Sequence, residues 1–473
     1  MKKLPVMVTA LLLALIFLTG CGATPEKEAA PPAKEEPQET GAEKTASVDH
    51  SQLVTGPFEK PQDVTAKCIT CHEEQAEEVM ATIHWNWAGP TPNIVGHENQ
   101  TDLGKRNGIN NFCISVVSNE VKCFQCHIGY GTEFEGKENI DCLVCHAQEG
   151  GYKKDKKGMP AEGVDLVAAA QSVGRPTIKN CGTCHFYAGG GDAVKQGDLD
   201  STLLNATAEH DVHMGGNGLA CVDCHAGENH KIKGTSIHIE PTEGSVKCES
   251  CHGNAPHEMD KLNEHIDTVA CQTCHIPTFA KGQPTKMYWD WSTAGQDIEA
   301  EKDEYGKETY SKKKGSFVWA KDVVPTYAWY NGKVERYIVG DPINPDGVTV
   351  LAKPVGSIDD PNAKIYPFKV MKGKQPADAK NNILLTPNVL GFWKHFDWDK
   401  ALADGAAASG LDYSGEYKFV ETEMYIGINH EVVPKENALT CNDCHSENGR
   451  IDFKALGYEG DPMQVGSRFS KEK

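Results

Sequence analysis

Eight copies of the pattern Cys-x-x-Cys-His run along this chain. In this pattern two thiols can add across the vinyl groups of a haem, and the adjacent histidine is placed to ligate the iron. A zinc ribbon also uses paired Cys-x-x-Cys, but a histidine directly after the second cysteine does not turn back easily onto the same tetrahedral metal. A thioredoxin-like site uses one such pair and not eight. The motifs therefore predict a c-type cytochrome with eight covalently bound haem c groups.

The motifs define eight sites, numbered here in chain order, in which two cysteines attach the haem and the histidine is the proximal iron ligand. They are Cys68, Cys71 and His72 (site 1); Cys123, Cys126 and His127 (site 2); Cys142, Cys145 and His146 (site 3); Cys181, Cys184 and His185 (site 4); Cys221, Cys224 and His225 (site 5); Cys248, Cys251 and His252 (site 6); Cys271, Cys274 and His275 (site 7); and Cys441, Cys444 and His445 (site 8). Sites 1–7 fall within residues 68–275, so little protein serves each haem. We expect the haems themselves to form much of the core.

Electron-transfer haems commonly carry a second axial histidine, so the histidines outside the motifs are candidates for the distal face. The sequence has 19 histidines, of which eight belong to motifs, which leaves 19 − 8 = 11. His50 falls in a predicted tether and is a poor candidate. An alternative role for one of the remaining histidines is that of a general acid or base in a substrate pocket. The favoured distal ligands are His84, His213, His230, His238, His257, His265, His395 and His430, with His97 and His210 in reserve.

One cysteine and two basic clusters stand outside this pattern. The cysteine count is 18 − 16 − 1 = 1 once the attachment cysteines and Cys21 are set aside, and the remaining residue is Cys113. It is either a small buried side chain or a reactive thiol near an iron. The basic clusters are either solvated loops or a local pocket for an anion. They are Lys105-Arg106 and the run Lys153, Lys154, Lys156 and Lys157.

The N-terminus predicts export. Residues 1–20 combine two lysines with an apolar stretch, which is typical of a secretory signal peptide. Leu18 to Cys21 resembles the lipobox of bacterial lipoproteins, in which the cysteine is acylated; the alternative is an ordinary cleaved signal with a stray cysteine. Residues 21–54 lack aromatic side chains and are rich in Ala, Glu, Lys and Pro, so we expect a disordered, lipidated tether. The chain is then lipid-anchored on the periplasmic side of a bacterial membrane or at the cell surface, and nothing later is apolar enough to span a bilayer.

Residues 55–473 must position these sites. We expect them to form one octahaem domain of mainly α and irregular structure. Residues 276–440, the haem-free insert, lack a motif and turn aromatic before site 8 at 441–445. Within the insert, Asn331-Gly332 between alternating residues predicts a β-hairpin over 326–339. Residues 365–371 predict a further strand, and 399–409 a helix. The fold class expected is therefore a multihaem cytochrome c with short β-hairpins in the insert.

The formal net charge of −20 excludes classes of partner. An acidic surface repels nucleic acid and anionic membranes, so neither is an expected partner. An anionic substrate would need a local basic pocket. Contact with the membrane is expected through the lipid anchor only.

Four stretches of sequence resemble a known family. They are His84-Trp85-Asn86-Trp87; Asn111-Phe112-Cys113 with Cys123 to His127 and Ile128 to Gly131; Ile140 to His146 with Tyr152 to Lys154; and Val269 to Pro277. The chain is similar in these residues to the octahaem tetrathionate reductase family of multihaem cytochromes, which is related to pentahaem nitrite reductases and hydroxylamine oxidoreductases. The resemblance extends from about Gly56 to His445 and leaves residues 301–381 unassigned.

The resemblance implies that site 2 is catalytic. Its iron would take a lysine nitrogen in place of histidine, with the opposite face open to substrate and a cysteine near that face. The lysine would be Lys153, with Lys154 as the alternative, and the cysteine Cys113. A lysine ligates only as the free amine, so burial must lower its pKa from about 10.4. Lys105 and Arg106 would attract an anion to the open face.

The expected function is reduction of a small inorganic sulfur or nitrogen compound. Tetrathionate would yield two thiosulfates, and nitrite and hydroxylamine fit the same iron. A quinol-linked protein or another cytochrome c would be the electron donor, and calcium is a further candidate cofactor. Because the third motif follows the second after a short gap, we expect short electron-transfer steps into site 2. The alternative is a non-catalytic, surface-tethered electron-transfer cytochrome.

Overall fold

The computed structural model describes residues 48–131, 134–234 and 244–468. The signal peptide, Cys21, most of the tether and His238 lie outside the described residues. The chain divides into residues 1–48 and a compact unit over 49–473. No described helix is long and apolar enough to cross a membrane.

The compact unit begins earlier than the predicted boundary after residue 54. Val54 is buried against Val64 and Leu143, and the Gln171 side-chain amide donates hydrogen bonds to the carbonyl oxygens of Ser51 and Val54. Residues 49–54 therefore belong to the folded unit, because their backbone groups and one apolar side chain have partners there.

Short helices carry most of the motifs. In a helical turn the residues at i and i+3 lie on one face, so Cys-x-x-Cys presents both thiols to the same side. Four helices begin at the first cysteine of a motif, and others end at a motif histidine. The helices are α1 (Pro61–Ile69), α2 (Glu73–Met80), α3 (Cys142–His146), α4 (Leu166–Gln171), α5 (Ile178–His185), α6 (Cys221–Cys224), α7 (Glu249–His252), α8 (Asp260–His265), α9 (Cys271–His275), α10 (Val389–His395), α11 (Trp398–Ser409), α12 (Cys441–Cys444) and α13 (Pro462–Val465).

The strands concentrate in the haem-free insert. They are β1 (Ile109–Asn110), β2 (Ile114–Ser115), β3 (Gly227–Glu228), β4 (Lys231–Ile232), β5 (Thr285–Asp290), β6 (Tyr310–Ser311), β7 (Gly315–Ala320), β8 (Thr326–Tyr330), β9 (Val334–Arg336), β10 (Thr349–Pro354), β11 (Lys364–Asp378) and β12 (Tyr417–Gly427). β5 to β12 form one mixed sheet in the order β6-β7-β5-β11-β12-β10-β9, with β8 also paired to β11. β1 and β2, and β3 and β4, form separate two-stranded ribbons.

β11 is the centre of the sheet. Its C-terminal part pairs antiparallel with β12 over residues 368–378, and its first residues pair with β8. The side chains on this sheet make the largest apolar core, which includes Trp289, Trp291, Phe368 and Phe392. The insert thus has a conventional packed core, whereas the predicted haem-bearing regions carry smaller apolar clusters.

The predicted fold class is confirmed: helices and irregular segments dominate outside the insert, and the β structure lies mainly within it. The sheet is larger than the predicted hairpins. The predicted hairpin at Asn331-Gly332 was wrong, because β8 pairs with β11 and β9 pairs with β10. The backbone of Asn331 instead donates to Val355, so the chain crosses to another strand at this turn. The predicted strand at 365–371 and the predicted helix at 399–409 correspond to β11 and α11.

Candidate haem sites

Seven motif histidines each face one histidine from elsewhere in the chain. Their ring centroids lie 6.0–6.4 Å apart. Two imidazoles on opposite faces of one iron should be about 6 Å apart, since each metal–nitrogen bond is about 2 Å and each ring centre lies about 1 Å further out. The residues therefore fit a bis-histidine haem at sites 1 and 3–8. The pairs are His72 with His50, His146 with His230, His185 with His84, His225 with His430, His252 with His213, His275 with His257 and His445 with His265.

Six of the predicted distal histidines are brought to a motif in this way, but His395 is not. It ends α10, and its Nδ1 accepts a hydrogen bond from the backbone amide of Asp397. Of the reserve candidates, His210 contacts Glu431 at 3.0 Å, and the Nδ1 atom of His97 is buried with no hydrogen-bond partner in the described part of the chain. None of these three has a motif histidine among the ring contacts of the described residues.

His50, a poor candidate by composition, lies beside the motif histidine of site 1. Its ring centroid lies 6.3 Å from that of His72, and its carbonyl oxygen accepts hydrogen bonds from the amides of Leu53 and Val54. A turn therefore fixes His50 against site 1. Composition suggested a tether here, but the burial of Val54 anchors the turn.

Replacing His50 by alanine is expected to convert one low-spin haem into a high-spin one, because site 1 loses its second axial nitrogen. Electron paramagnetic resonance of the ferric holoprotein checks this by counting the low-spin signals. His97→Ala is the matched control and should leave them unchanged. An unaltered spectrum for His50→Ala would show that site 1 has a different ligand.

Contacts between motif cysteines give the spatial order of the sites. The side chains of Cys68 and Cys142 lie close enough that each shifts the pKa of the other, which places sites 1 and 3 side by side. Equivalent contacts join sites 2 and 4, 4 and 5, and 6 and 7. Sites 3 and 4, 5 and 6, and 7 and 8 lie close enough that a charge on one cysteine shifts the pKa of another. Site 2 therefore adjoins site 4, whereas sequence spacing favoured site 3.

Site 2 differs from the other seven. Among the described residues, the His127 ring contacts Trp87 and Phe134 and no second histidine. Trp87 is stacked on the imidazole, with the ring centroids 3.5 Å apart and the planes inclined by 12°. Burial and the nearby charge of Lys105 lower the pKa of His127 to about 3, so the imidazole is neutral.

The structure distinguishes the two candidate lysines. Lys153 is exposed and lines a small cavity with Tyr152 and Lys179. The side chain of Lys154 is fully buried, and its Nζ donates hydrogen bonds to the carbonyl oxygens of His127 and Gly129. Lys154 is therefore the lysine that contacts the backbone of the site 2 motif, because the strand-like turn there directs alternate side chains to opposite sides.

A buried carboxyl group supports Lys154. Asp141 Oδ2 lies 3.6 Å from the Lys154 Nζ, and both side chains are inaccessible to solvent. Asp141 Oδ1 accepts hydrogen bonds from the Tyr152 hydroxyl at 2.6 Å and the Val144 amide at 3.1 Å. Desolvation raises the pKa of Asp141, and the charge of Lys154 opposes that shift. The opposite charge and these hydrogen bonds offset part of the cost of burying the pair.

Cys113 combines an exposed surface with a desolvated thiol. Its surface is exposed, while the surrounding protein desolvates the thiol and raises its pKa. Both observations fit a side chain that faces a cavity inside the protein. The next residue, Ile114, has a φ of 67°, a left-handed conformation that a β-branched residue adopts only when its surroundings impose it.

The haem-free insert imposes that conformation. The Asn111 side-chain amide donates to the Met371 carbonyl at 2.5 Å, and the Gln375 amide donates to the Asn110 carbonyl at 2.7 Å. A Cβ on Gly373 would lie only 3.0 Å from the Asn111 Cβ, so β11 and the β1–β2 ribbon approach closely. The sheet therefore fixes the ribbon that carries Cys113.

Three lysines place positive charge around Cys113. Lys105, Lys195 and Lys314 each act to lower the pKa of its thiol, although burial outweighs them. The Lys195 Nζ lies 5.8 Å from the ring of Phe112. Of the predicted pair, Lys105 also acts on Cys123, Cys126 and His127, which places its charge near site 2. Lys105 and Arg106 both have exposed surface.

Sequence reasoning missed Lys195, Lys314, Asp141 and the partner role of His50. Of these residues, only Lys314 was marked by a sequence pattern, because it ends the run Lys312-Lys313-Lys314. Calcium stays a prediction. The described residues contain no group of three or more His, Cys, Asp or Glu side chains placed to hold a metal ion.

Known proteins resemble this chain along most of its length. Residues 286–448 match the family "Cytochrome c bacterial", and residues 206–286 match "Cytochrome c7 and related cytochrome c". An uncharacterized protein of Archaeoglobus fulgidus is 28% identical over 268 residues, covering 44% of this chain and 88% of its own length. The crystal structure of octahaem cytochrome c from Shewanella oneidensis is 48% identical with a TM-score of 0.82, covering 88% of this chain and 98% of that one. The chain belongs to the octahaem c-type cytochromes, redox proteins that hold haem c covalently through Cys-x-x-Cys-His motifs.

Proposed function

We propose that this chain reduces a small inorganic sulfur or nitrogen compound at site 2, with haem c at all eight motifs. The observation that carries the proposal is the difference between site 2 and the others: seven sites have a histidine for each face of the iron, and site 2 has Lys154, Cys113 and a set of cations. A bis-histidine iron has no vacant position and serves electron transfer, whereas catalysis needs one open face. Bound haem supplies one-electron transfer and an iron at which substrate can bind.

Lys154 is suited to ligate that iron. A neutral amine has two N–H groups and one lone pair, and the carbonyl oxygens of His127 and Gly129 accept hydrogen bonds from Lys154. Ligation would require Lys154 to give up the proton that it carries in its ion pair with Asp141. The two remaining N–H groups would then keep these acceptors, and the lone pair would be available to the iron. These carbonyls belong to His127 and to the second residue after it, so Lys154 would hold the iron from beside the site 2 motif. Trp87 is stacked on the His127 ring in the same place.

The opposite face suits an anion that contains sulfur. Lys105, Lys195 and Lys314 surround Cys113 with positive charge, which an anion needs in a chain of net charge −20. Tetrathionate would take up two electrons, its central S–S bond would break, and two thiosulfate ions would leave, with no proton required. Cys113 contacts the substrate sulfur as a neutral, polarisable thiol, because burial raises its pKa.

Replacing Lys314 by glutamine is expected to raise the KM for tetrathionate about fivefold to tenfold and leave kcat little changed, since a rim charge contributes mainly to uniform binding of the anion. Steady-state kinetics with a reduced viologen donor measure both constants. Lys313→Gln is the matched control, because its side chain is exposed and adjacent. Hydroxylamine is uncharged, so an equal rise in its KM would contradict an electrostatic role.

A turnover panel tests the function itself. Reduced viologen serves as donor, and tetrathionate, nitrite, hydroxylamine and sulfite serve as candidate acceptors. We expect turnover with at least one of them and one haem whose ferric spectrum is not that of a bis-histidine iron. Eight low-spin bis-histidine signals with no turnover would instead favour a non-catalytic electron-transfer cytochrome, the function to which the seven histidine pairs alone would be suited.

The proposal includes export and an external donor. Haem c is attached outside the cytoplasm, and the signal-like residues 1–20 before Cys21 favour a lipoprotein on the periplasmic side of a membrane or at the cell surface. A quinol-linked protein or another cytochrome c would then supply the electrons.

A further inference from the structure

The histidines at the haem sites differ in what their second nitrogen contacts. An imidazole that ligates iron through one nitrogen donates a hydrogen bond from the other, and the acceptor sets how basic the ligand is. A carboxylate draws the proton more strongly than a carbonyl oxygen, which leaves more electron density on the imidazole. Such a ligand favours ferric iron and lowers the reduction potential of the site.

The described residues place a carboxylate in this position at three sites. Glu78 Oε2 lies 2.8 Å from Nδ1 of His230 at site 3, and Asp198 Oδ2 lies 3.2 Å from Nδ1 of His430 at site 5. At site 8 the acceptor is Asp461, whose Oδ1 lies 2.5 Å from Nδ1 of His445. Asp198 is held further by the amides of residues 429 and 430, which donate to the same oxygen.

Other histidines at the sites have weaker acceptors. Backbone carbonyl oxygens lie 2.7–3.0 Å from Nδ1 of His146, His225 and His265. An amide oxygen, Asn263 Oδ1, lies 3.3 Å from Nδ1 of His257. Sites 3, 5 and 8 therefore each combine one histidine that is hydrogen-bonded to a carboxylate with one that is hydrogen-bonded to a backbone carbonyl.

One histidine of site 4, His84, has the opposite environment. The Nδ1 atom of this histidine is buried with no hydrogen-bond partner among the described residues. The positive charge of Lys105 acts on the same imidazole, and a nearby cation favours ferrous over ferric iron because it opposes the extra positive charge. Both features raise the potential of site 4 relative to a carboxylate-bonded site.

The arrangement of the sites determines where this difference in reduction potential would direct electrons. Site 4 adjoins sites 3 and 5 through Cys145, Cys181 and Cys221, and it adjoins site 2 through the contact of Cys184 with Cys126. We propose that Glu78 and Asp198 hold sites 3 and 5 at lower reduction potentials than site 4. Electrons that enter from an external donor are then favoured to collect at site 4, next to site 2. Only this last consequence rests on the proposed function.

Potentiometric titration of the full-length holoprotein tests the proposal, with optical and electron paramagnetic resonance detection of each haem. In Glu78→Gln the amide is a weaker acceptor, so one low-spin component should shift to higher potential. At its original midpoint we expect the ratio of reduced to oxidised haem to rise about tenfold, which is about 59 mV for a one-electron couple. Glu77→Gln is the matched control on the same helix; its side chain is 64% exposed, and no component should move.

Further variants separate tuning from a structural role. Asp198→Asn should shift a different component upward, and Glu78→Asp, which keeps the carboxylate, should return the site 3 component towards its original potential. Asp461→Asn, at the less buried third carboxylate, remains informative if Asp198→Asn fails to fold. Haem content and the number of low-spin signals should stay the same. No shift, or a downward shift, in the variants that retain all haems would overturn the proposal. Shifts as expected without turnover on any acceptor would refute only the proposed reductase.

Discussion

Replacing Lys154 by methionine is expected to lower turnover on every acceptor at least about 100-fold. Loss of groups that merely orient a metal ligand commonly costs about 10–100-fold, and loss of the ligand itself should cost no less. Methionine is similar in length but cannot supply an amine to the iron or donate to the His127 and Gly129 carbonyl oxygens. The ferric spectrum of one haem should change at the same time, which steady-state assays and electron paramagnetic resonance together would show.

Lys153→Met is the matched control for this experiment. The two lysines are neighbours in sequence, but Lys153 is exposed and Lys154 is buried. Turnover and spectra should therefore survive the change at Lys153. If Lys153→Met abolished activity while Lys154→Met did not, the assignment of the iron ligand would be wrong. Leaving Asp141 without its buried partner would also destabilise the fold, so haem content must be compared before turnover.

Replacing Cys113 by alanine or serine is expected to lower kcat/KM for tetrathionate about tenfold or more. This corresponds to about 1.4 kcal/mol of lost transition-state stabilisation. Alanine removes the sulfur, and serine keeps the size of the side chain but not its polarisability. Nitrite and hydroxylamine contain no sulfur to contact, so their kcat/KM should change by less than about twofold. An equal loss for all three acceptors would mean that Cys113 only maintains the β1–β2 ribbon.

The pH dependence provides a second check on Cys113. Burial raises the pKa of its thiol above the usual range, so the thiol is neutral at pH 7 and tetrathionate turnover should be insensitive to pH there. As the pH rises through the elevated pKa, a thiolate forms and repels the dianion, and the rate should fall. The serine variant should lack this fall. A rate that instead increased with pH would indicate a thiolate mechanism.

Local sequence was sufficient where the chemistry is carried by adjacent residues. The attachment residues follow from the Cys-x-x-Cys-His spacing, because one helical turn presents both thiols to the same side. Helix α11 and strand β11 were also predictable from local patterns. The Asn331-Gly332 turn was not, since whether two strands pair depends on competing partners such as β10 and β11, which lie elsewhere in the chain.

Distal ligands could not be assigned from sequence with the same success. His84 and His185 lie about a hundred residues apart, and His225 and His430 are further separated, so their pairing depends on how the chain closes around each site. Composition misassigned His50, because the anchoring contacts of Val54 are tertiary. Lys195 and Lys314 could not be assigned from sequence either, because the fold brings their charges close to Cys113.

The sequence by itself determined that this is a c-type cytochrome with eight attachment motifs, since covalent attachment needs only neighbouring residues. The resemblance of the sequence to a known family implied that site 2 is the exception, and tertiary structure decided which residues surround it. Eight identical motifs present the same local chemistry, so the difference at site 2 has to come from residues distant in the chain: Trp87 stacked on His127, Lys154 rather than Lys153 beside it, and Cys113 fixed by the sheet of the insert. Axial ligation and second-nitrogen hydrogen bonds act over a few ångströms of space, and only the fold sets those distances.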